Sequence, residues 1–145
     1  MRATRALCAR LADGRLHLQH GPIDVIAECW GEPREVDAAL AQAARRFSSI
    51  LDELVEELPR LREPVGTHYP LLRGAVARRM AAAVWPLRPE YVTPMAAVAG
   101  AVADELMQAL LEGRRLRKAC VNDGGDIALH LAPGESLDVG IVGDL

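Results

Sequence analysis

The sequence predicts an α+β fold in a single domain, and three observations carry that prediction. Short alternating apolar runs lie near both ends, long apolar stripes at helical spacing lie between them, and glycine or proline marks the junctions. The expected arrangement is antiparallel sheet strands flanking a central set of two to three helices. A strand meander occupies 1–32, a helical segment 33–113, and further strands 114–145. A chain of 145 residues, half of them hydrophobic at 50%, is long enough to bury a core of its own.

Three strands open the chain. Ala6–Leu11 leads through Ala12-Asp13-Gly14 to Arg15–His20, where Leu16 and Leu18 alternate with polar neighbours. Gly21-Pro22 then breaks the chain before Ile23–Cys29, with Ile23, Val25 and Ala27 on one face. The first helix follows from Val36, its apolar stripe running through Leu40, Ala43, Phe47, Ile50, Leu54 and Leu58, bracketed by Pro33 and Pro59. Leu61–Tyr69 reads as a connector. A second helix is expected from near Pro70, over Leu71–Val84, ended by Pro86 and Pro89. Its Arg73, Arg78 and Arg79 suit either a solvated face or phosphate binding.

The third helix has a clear start signal, Thr93 as cap and Pro94 in the first turn, and it runs to Leu111 with Gly113 as its stop. Lys118–Val121, Asp126–Leu131 and Leu137–Val142 complete the strands, the first two joined by a Gly-Gly turn.

Composition narrows the function classes. The net charge is −3 and no long basic block is present, which points away from nucleic acid. The aromatic residues, 3% of the chain, are too sparse for a base-stacking platform. No stretch approaches the ~20 apolar residues of a membrane span. Met1–Arg10 lacks the apolar core of a secretory signal, so a cytoplasmic, soluble protein is expected. Cys8, Cys29 and Cys120 show no paired spacing and read as free thiols, which suits a reducing compartment.

Two features bear on chemistry. The first turns of the third helix, Ala96 to Ala103, carry only small residues, interrupted by Asp104. Either a flat ligand or a closely packed sheet explains them, and Asp104 with Glu105 equally begins a solvated face. In Asn122-Asp123-Gly124-Gly125-Asp126 the glycines supply positive φ to a tight turn. The same bare backbone of Gly124 and Gly125 lets a ligand approach, with Asn122 and Asp126 as polar contacts. His17 and His20, three apart on a strand, point to opposite faces, and neither they nor His68 and His130 have metal-site spacing. No serine nucleophile elbow or phosphate-binding P-loop occurs.

Together these segments resemble a known pattern. Pro94-Met95-Ala96-Ala97-Val98-Ala99-Gly100-Ala101-Val102-Ala103-Asp104, then Val121-Asn122-Asp123-Gly124-Gly125-Asp126-Ile127, then Leu137-Asp138-Val139-Gly140-Ile141, is similar to the ApbE superfamily. The similarity is closer to a branch outside the characterised transferases, and Leu16–Asp24 shares it. Characterised members move FMN from FAD onto a threonine of a target protein with magnesium. The resemblance implies a flavin nucleotide or related small ligand, held by Gly100, Asp104, Asn122, Gly124, Gly125 and Asp126. It implies FMN transfer or, as the alternative, a non-catalytic binding or assembly role, with a link to pterin one-carbon metabolism as a further expectation.

Two departures shape these expectations. The transferases carry lysine just before the helix glycine, where this chain has Ala99. Their Thr-Ser-Gly-type segment and acidic magnesium residue lie beyond Gly143-Asp144-Leu145, so magnesium is expected only if a second segment completes the site. A final strand with an unpaired edge further suggests a second chain or homo-oligomer completing the sheet.

Overall fold

A computed structural model describes residues 5–143. Met1 to Thr4 of the N-terminal stretch, and Asp144 and Leu145 at the other end, lie outside the described residues.

Five strands form one fully antiparallel sheet in chain order: β1 (Leu7–Arg10), β2 (Leu16–His20), β3 (Ile23–Gly31), β4 (Leu116–Asp123) and β5 (Asp126–Leu131). The helices all come between β3 and β4 and cover one face. They are α1 (Pro33–Glu56), α2 (Leu58–Leu61), α3 (Ala75–Val84) and α4 (Val98–Leu111). This is the two-layer α+β architecture that the patterning predicts. Strand alternation sends Leu16, Leu18, Ile23, Val25, Ala27, Ala119 and Val121 toward the helices, where they meet Phe47, Ile50, Val102, Leu106 and Leu110 in one core. His20 is buried on that face, while His17 on the other bonds Asp24 at 2.7 Å.

Among the described residues no helix covers the opposite face of the sheet. Ile127, Leu129 and Leu131 of β5 stand on it in the open.

Helix boundaries differ from the sequence expectation where proline and capping intervene. The first helix breaks at Glu57, whose φ of −109° and ψ of 6° leave helical geometry, and Pro59 then sits in the first turn of α2, where its missing N–H costs nothing. The second helix starts at Ala75, not near Pro70. The N–H groups of Arg73 and Gly74 donate instead to the Glu57 carboxylate, at 2.7 and 2.8 Å. Glu57 thus caps α3 from 16 and 17 residues upstream. Burial alone would raise its carboxyl pKa, but the two backbone donors and the nearby Arg73 and Arg60 hold it below the ordinary value. Glu57→Ala is expected to cost about 1–2 kcal/mol in urea unfolding, since it leaves two orphan N–H donors. A loss indistinguishable from zero would show that water replaces the cap.

Thr93 forms no side-chain cap. Pro94–Ala97 is a 3-10 turn, closed by Ala96 N–H donating to the Thr93 carbonyl, and α4 proper begins at Val98. Gly113, at φ +65°, ends it as expected. Among the described residues, Pro94–Leu111 alone is long and apolar enough by composition to span a membrane. Of that stretch 39% is buried within the protein, with Val102, Leu106 and Leu110 fully enclosed.

The expected strand Leu137–Val142 does not form. After β5 the chain turns at Ala132–Glu135, the Lys118 ammonium donates to the Ser136 carbonyl, and Arg117 pairs with Glu135. Val139, Ile141 and Val142 then lie exposed, and among the described residues no strand pairs with them.

Candidate functional site

At one end of the sheet, β2 and β3 are joined by Gly21-Pro22. Gly21 takes φ +56° and Pro22 follows, the residue order of a tight type II′ hairpin. A Cβ on Gly21 would lie 3.0 Å from a Leu51 methyl of α1, so both the positive φ and the close approach favour glycine here. Beside this turn a cleft of about 520 Å³ opens between the sheet end, the C-terminal half of α1 and the start of α4. This volume is in the ordinary range for small-molecule sites.

The cleft wall is apolar. Pro22 and Ile23 come from the hairpin, Leu54 and Val55 from α1, and Met95, Val98 and Ala99 from the approach to α4. Among the described residues the charged ones that line it are Asp123 and Arg62. Asp123 is the last residue of β4, directly paired with Val25 on one side and Asp126 on the other. The alternation that buries Ala119 and Val121 also turns Asp123 toward the helices, leaving it 8% exposed. Burial, then the nearby Asp126 and Asp24, lift its carboxyl from 3.8 to about 6. Among the described residues no hydrogen bond or ion pair holds it.

The turn expected at Asn122–Asp126 is present as a two-residue hairpin. Gly124 and Gly125 take φ of +59° and +104°, which few side chains tolerate, and the Asn122 side-chain oxygen accepts from Gly125 N–H at 2.8 Å. Asn122 faces the open side of the sheet, away from the cleft, while Gly124, Gly125 and Asp126 are exposed beside Asp123. Gly100 follows the cleft residue Ala99, and a Cβ there would meet nothing within 4 Å. Asp104 lies one turn further along α4, exposed, on a separate surface hollow with Met107, Leu111 and Ala128. The fold therefore brings the start of α4 and the end of β4 to one cleft but leaves Asp104 outside its lining.

Asp123 is the residue that motif reading passed over. Its signal was available, since Ala119, Val121 and Asp123 share one face of an alternating strand. The other lining residues come from distant segments and carry no motif.

The remaining reactive groups offer less. Cys29 is half-buried, and burial pushes its thiol up to about 12, which removes it as a nucleophile at neutral pH. Among the described residues no three His, Cys, Asp or Glu side chains group to hold a metal ion. Arg79 is engaged by Glu105 and Gln108, and Arg78 donates to the Arg73 carbonyl.

A protein-family model described as AbpE bacteria matches residues 8–145, nearly the whole chain. The chain belongs to the bacterial AbpE family. No curated protein matches it significantly. The match begins in β1 and covers every helix and strand that borders the cleft of this AbpE protein.

Proposed function

We propose that this AbpE protein binds a flavin nucleotide, or a closely related flat heteroaromatic ligand, in the cleft between Pro22, Val98 and Asp123. The observation that carries the reading is an apolar slot lined by one carboxylate, Asp123, which is 8% exposed and bonded to no partner among the described residues. Apolar walls suit the faces of a fused ring, and a lone polar group fixes its orientation. An ionised Asp123 accepts a hydrogen bond from a ring N–H, and a protonated one donates to a ring carbonyl. Arg62 at the lining offers a cation for a phosphate. The resemblance to the ApbE superfamily, with its Pro-Met-Ala-Ala-Val-Ala-Gly and Gly-Gly-Asp segments bordering this region, supports a flavin over other ring systems.

A second observation favours binding without transfer. Ala99, where the flavin transferases carry lysine, lines the cleft itself. A methyl group there leaves the wall apolar and removes a cation from the place where phosphate charge would be handled.

Titration of the protein with FMN and FAD, with and without magnesium, is expected to quench flavin fluorescence with a Kd of about 1–100 μM. Val98→Trp fills the slot and is expected to abolish the quench while the unfolding midpoint stays near the wild-type value. Lack of binding by the wild type rejects the ligand class. Covalent attachment of FMN from FAD to a threonine of an acceptor protein, with release of AMP in the presence of magnesium, would restore the transferase reading.

A further inference from the structure

Strand β5 is an edge. Its inner side pairs with β4 from Asp123↔Asp126 to Lys118↔Leu131, and among the described residues no strand lies on its outer side. In a ladder opened by a two-residue hairpin, Asp126, Ala128 and His130 exchange hydrogen bonds with β4. The N–H and C=O groups of Ile127, Leu129 and Leu131 therefore point outward, unpaired by β4. The same residues expose apolar side chains, 54%, 49% and 42% accessible, on the uncovered sheet face. This edge has no proline, no lysine and no bulge in its pairing, and Asp126 is its one carboxylate.

On the helix side a hollow of about 570 Å³ runs between this edge and α4, floored by Met107, Leu111 and Ala128. Arg79 and the acids Asp104 and Glu112 border it. A surface that carries both signs around an apolar floor can complement its own image.

We propose that two copies of this chain join edge to edge through β5, related by a two-fold axis perpendicular to the sheet. The two-fold requires antiparallel pairing in which residues opposite each other face the same side. Centring the axis on Ala128 sets Ala128 against Ala128 of the other copy and Ile127 against its Leu129. The same register sets Asp126 against its His130. Ile127 and Leu129 then exchange their outward backbone bonds, and the two apolar rows become continuous across the interface. The Asp126–His130 pairs fall at the positions where cross-strand side chains approach most closely. There the imidazole N–H donates to a carboxylate. Within one chain Asp123, Asp126 and Asp24 lie near one another, and Asp126 makes no ion pair among the described residues, so His130 of the other copy supplies one. The two α4 helices run side by side over the joined edges, closing each hollow with the other copy.

Sedimentation equilibrium of the full chain over a wide concentration range is expected to show a species of twice 15.7 kDa. Leu129→Pro removes one outward N–H from an edge position that tolerates proline, and is expected to yield monomer. Asp126→Lys is expected to weaken the dimer about tenfold by opposing lysine to His130, and adding His130→Asp to recover most of that loss. The charge-swap pair keeps the test decisive if Leu129→Pro fails to fold. A single 15.7 kDa species at every concentration overturns the proposal, as does a dimer indifferent to all three variants. These readouts are masses, so they are independent of whether the cleft binds flavin.

Discussion

Replacing Glu105 by alanine is expected to destabilise the protein by about 2–3 kcal/mol, because a partly buried ion cluster loses its shared acid. The Glu105 carboxylate receives Arg46 Nε at 2.9 Å from α1 and Arg79 Nε at 3.0 Å from α3, so one side chain of α4 ties three helices together. Its side chain is 12% exposed, and that of Arg46 is 22%. Arg46 also forks onto Glu53, with both bonds at 2.9 Å, and Ser49 donates to the same carboxylate at 2.8 Å. Without Glu105, Arg46 keeps Glu53 but cannot move far into water, and Arg79 swings to the surface. Glu105→Gln keeps the shape and loses the charge, so its loss should be intermediate. Burial by itself would raise the Glu105 pKa, but hydrogen bonds from Arg46 and Arg79 outweigh it and place the pKa below 4.5. The unfolded chain then binds the proton more readily, and this contribution disappears as pH falls through the folded value. Urea unfolding at neutral pH tests the magnitude. An alanine variant within about 0.5 kcal/mol of wild type would mean that the cluster acts as a solvated surface pair.

Replacing Asp123 by asparagine should act in the opposite direction, and its effect should depend on pH. The folded carboxyl titrates at about 6 against an ordinary value of 3.8. Between those values the folded protein holds a proton that the unfolded chain has released, so stability from this group falls as pH rises from about 4 to 6 and then stays low. The full shift corresponds to about 3 kcal/mol. The cleft admits water, so about 1–2 kcal/mol is the expected penalty near pH 8. Asp123→Asn removes it and should stabilise the unliganded protein there, with no gain near pH 4. The same substitution should weaken binding of a ring N–H, because an amide oxygen accepts less strongly than a carboxylate. Equal stability changes at both pH values would show that Asp123 is not the buried titrating group. A gain in stability together with a loss of ligand is the signature of a residue kept for function at a cost to the fold.

The charged residues of α4 show what a linear pattern leaves undecided. Asp104 and Glu105 are adjacent, and both suit the start of a solvated face. Asp104 is indeed exposed, whereas Glu105 is held by two arginines from other helices. A rotation of 100° about the helix axis separates their environments, and only the packing of α1 and α3 determines which one is enclosed. The same holds at Thr93, a good cap by residue type that makes no cap because the chain enters through a 3-10 turn. It also holds at Leu137–Val142, whose alternation suits a strand but which has no neighbouring ladder.

The Asn122–Asp126 hairpin lies at the other extreme. Its turn was determined by the sequence alone, since Gly124 and Gly125 both need positive φ and Asn122 closes the loop on its own backbone. So were the period-2 strands, the stripe of α1 and the proline and glycine boundaries, because these depend on interactions within a few residues. The cleft was decided by tertiary structure. Pro22, Leu54, Arg62, Val98 and Asp123 meet only once the sheet has formed and α1 and α4 have packed against it. Their union depends on long-range packing between segments that share no local pattern, and it made Asp123, not the exposed turn residues beside it, the carboxylate that faces the cleft.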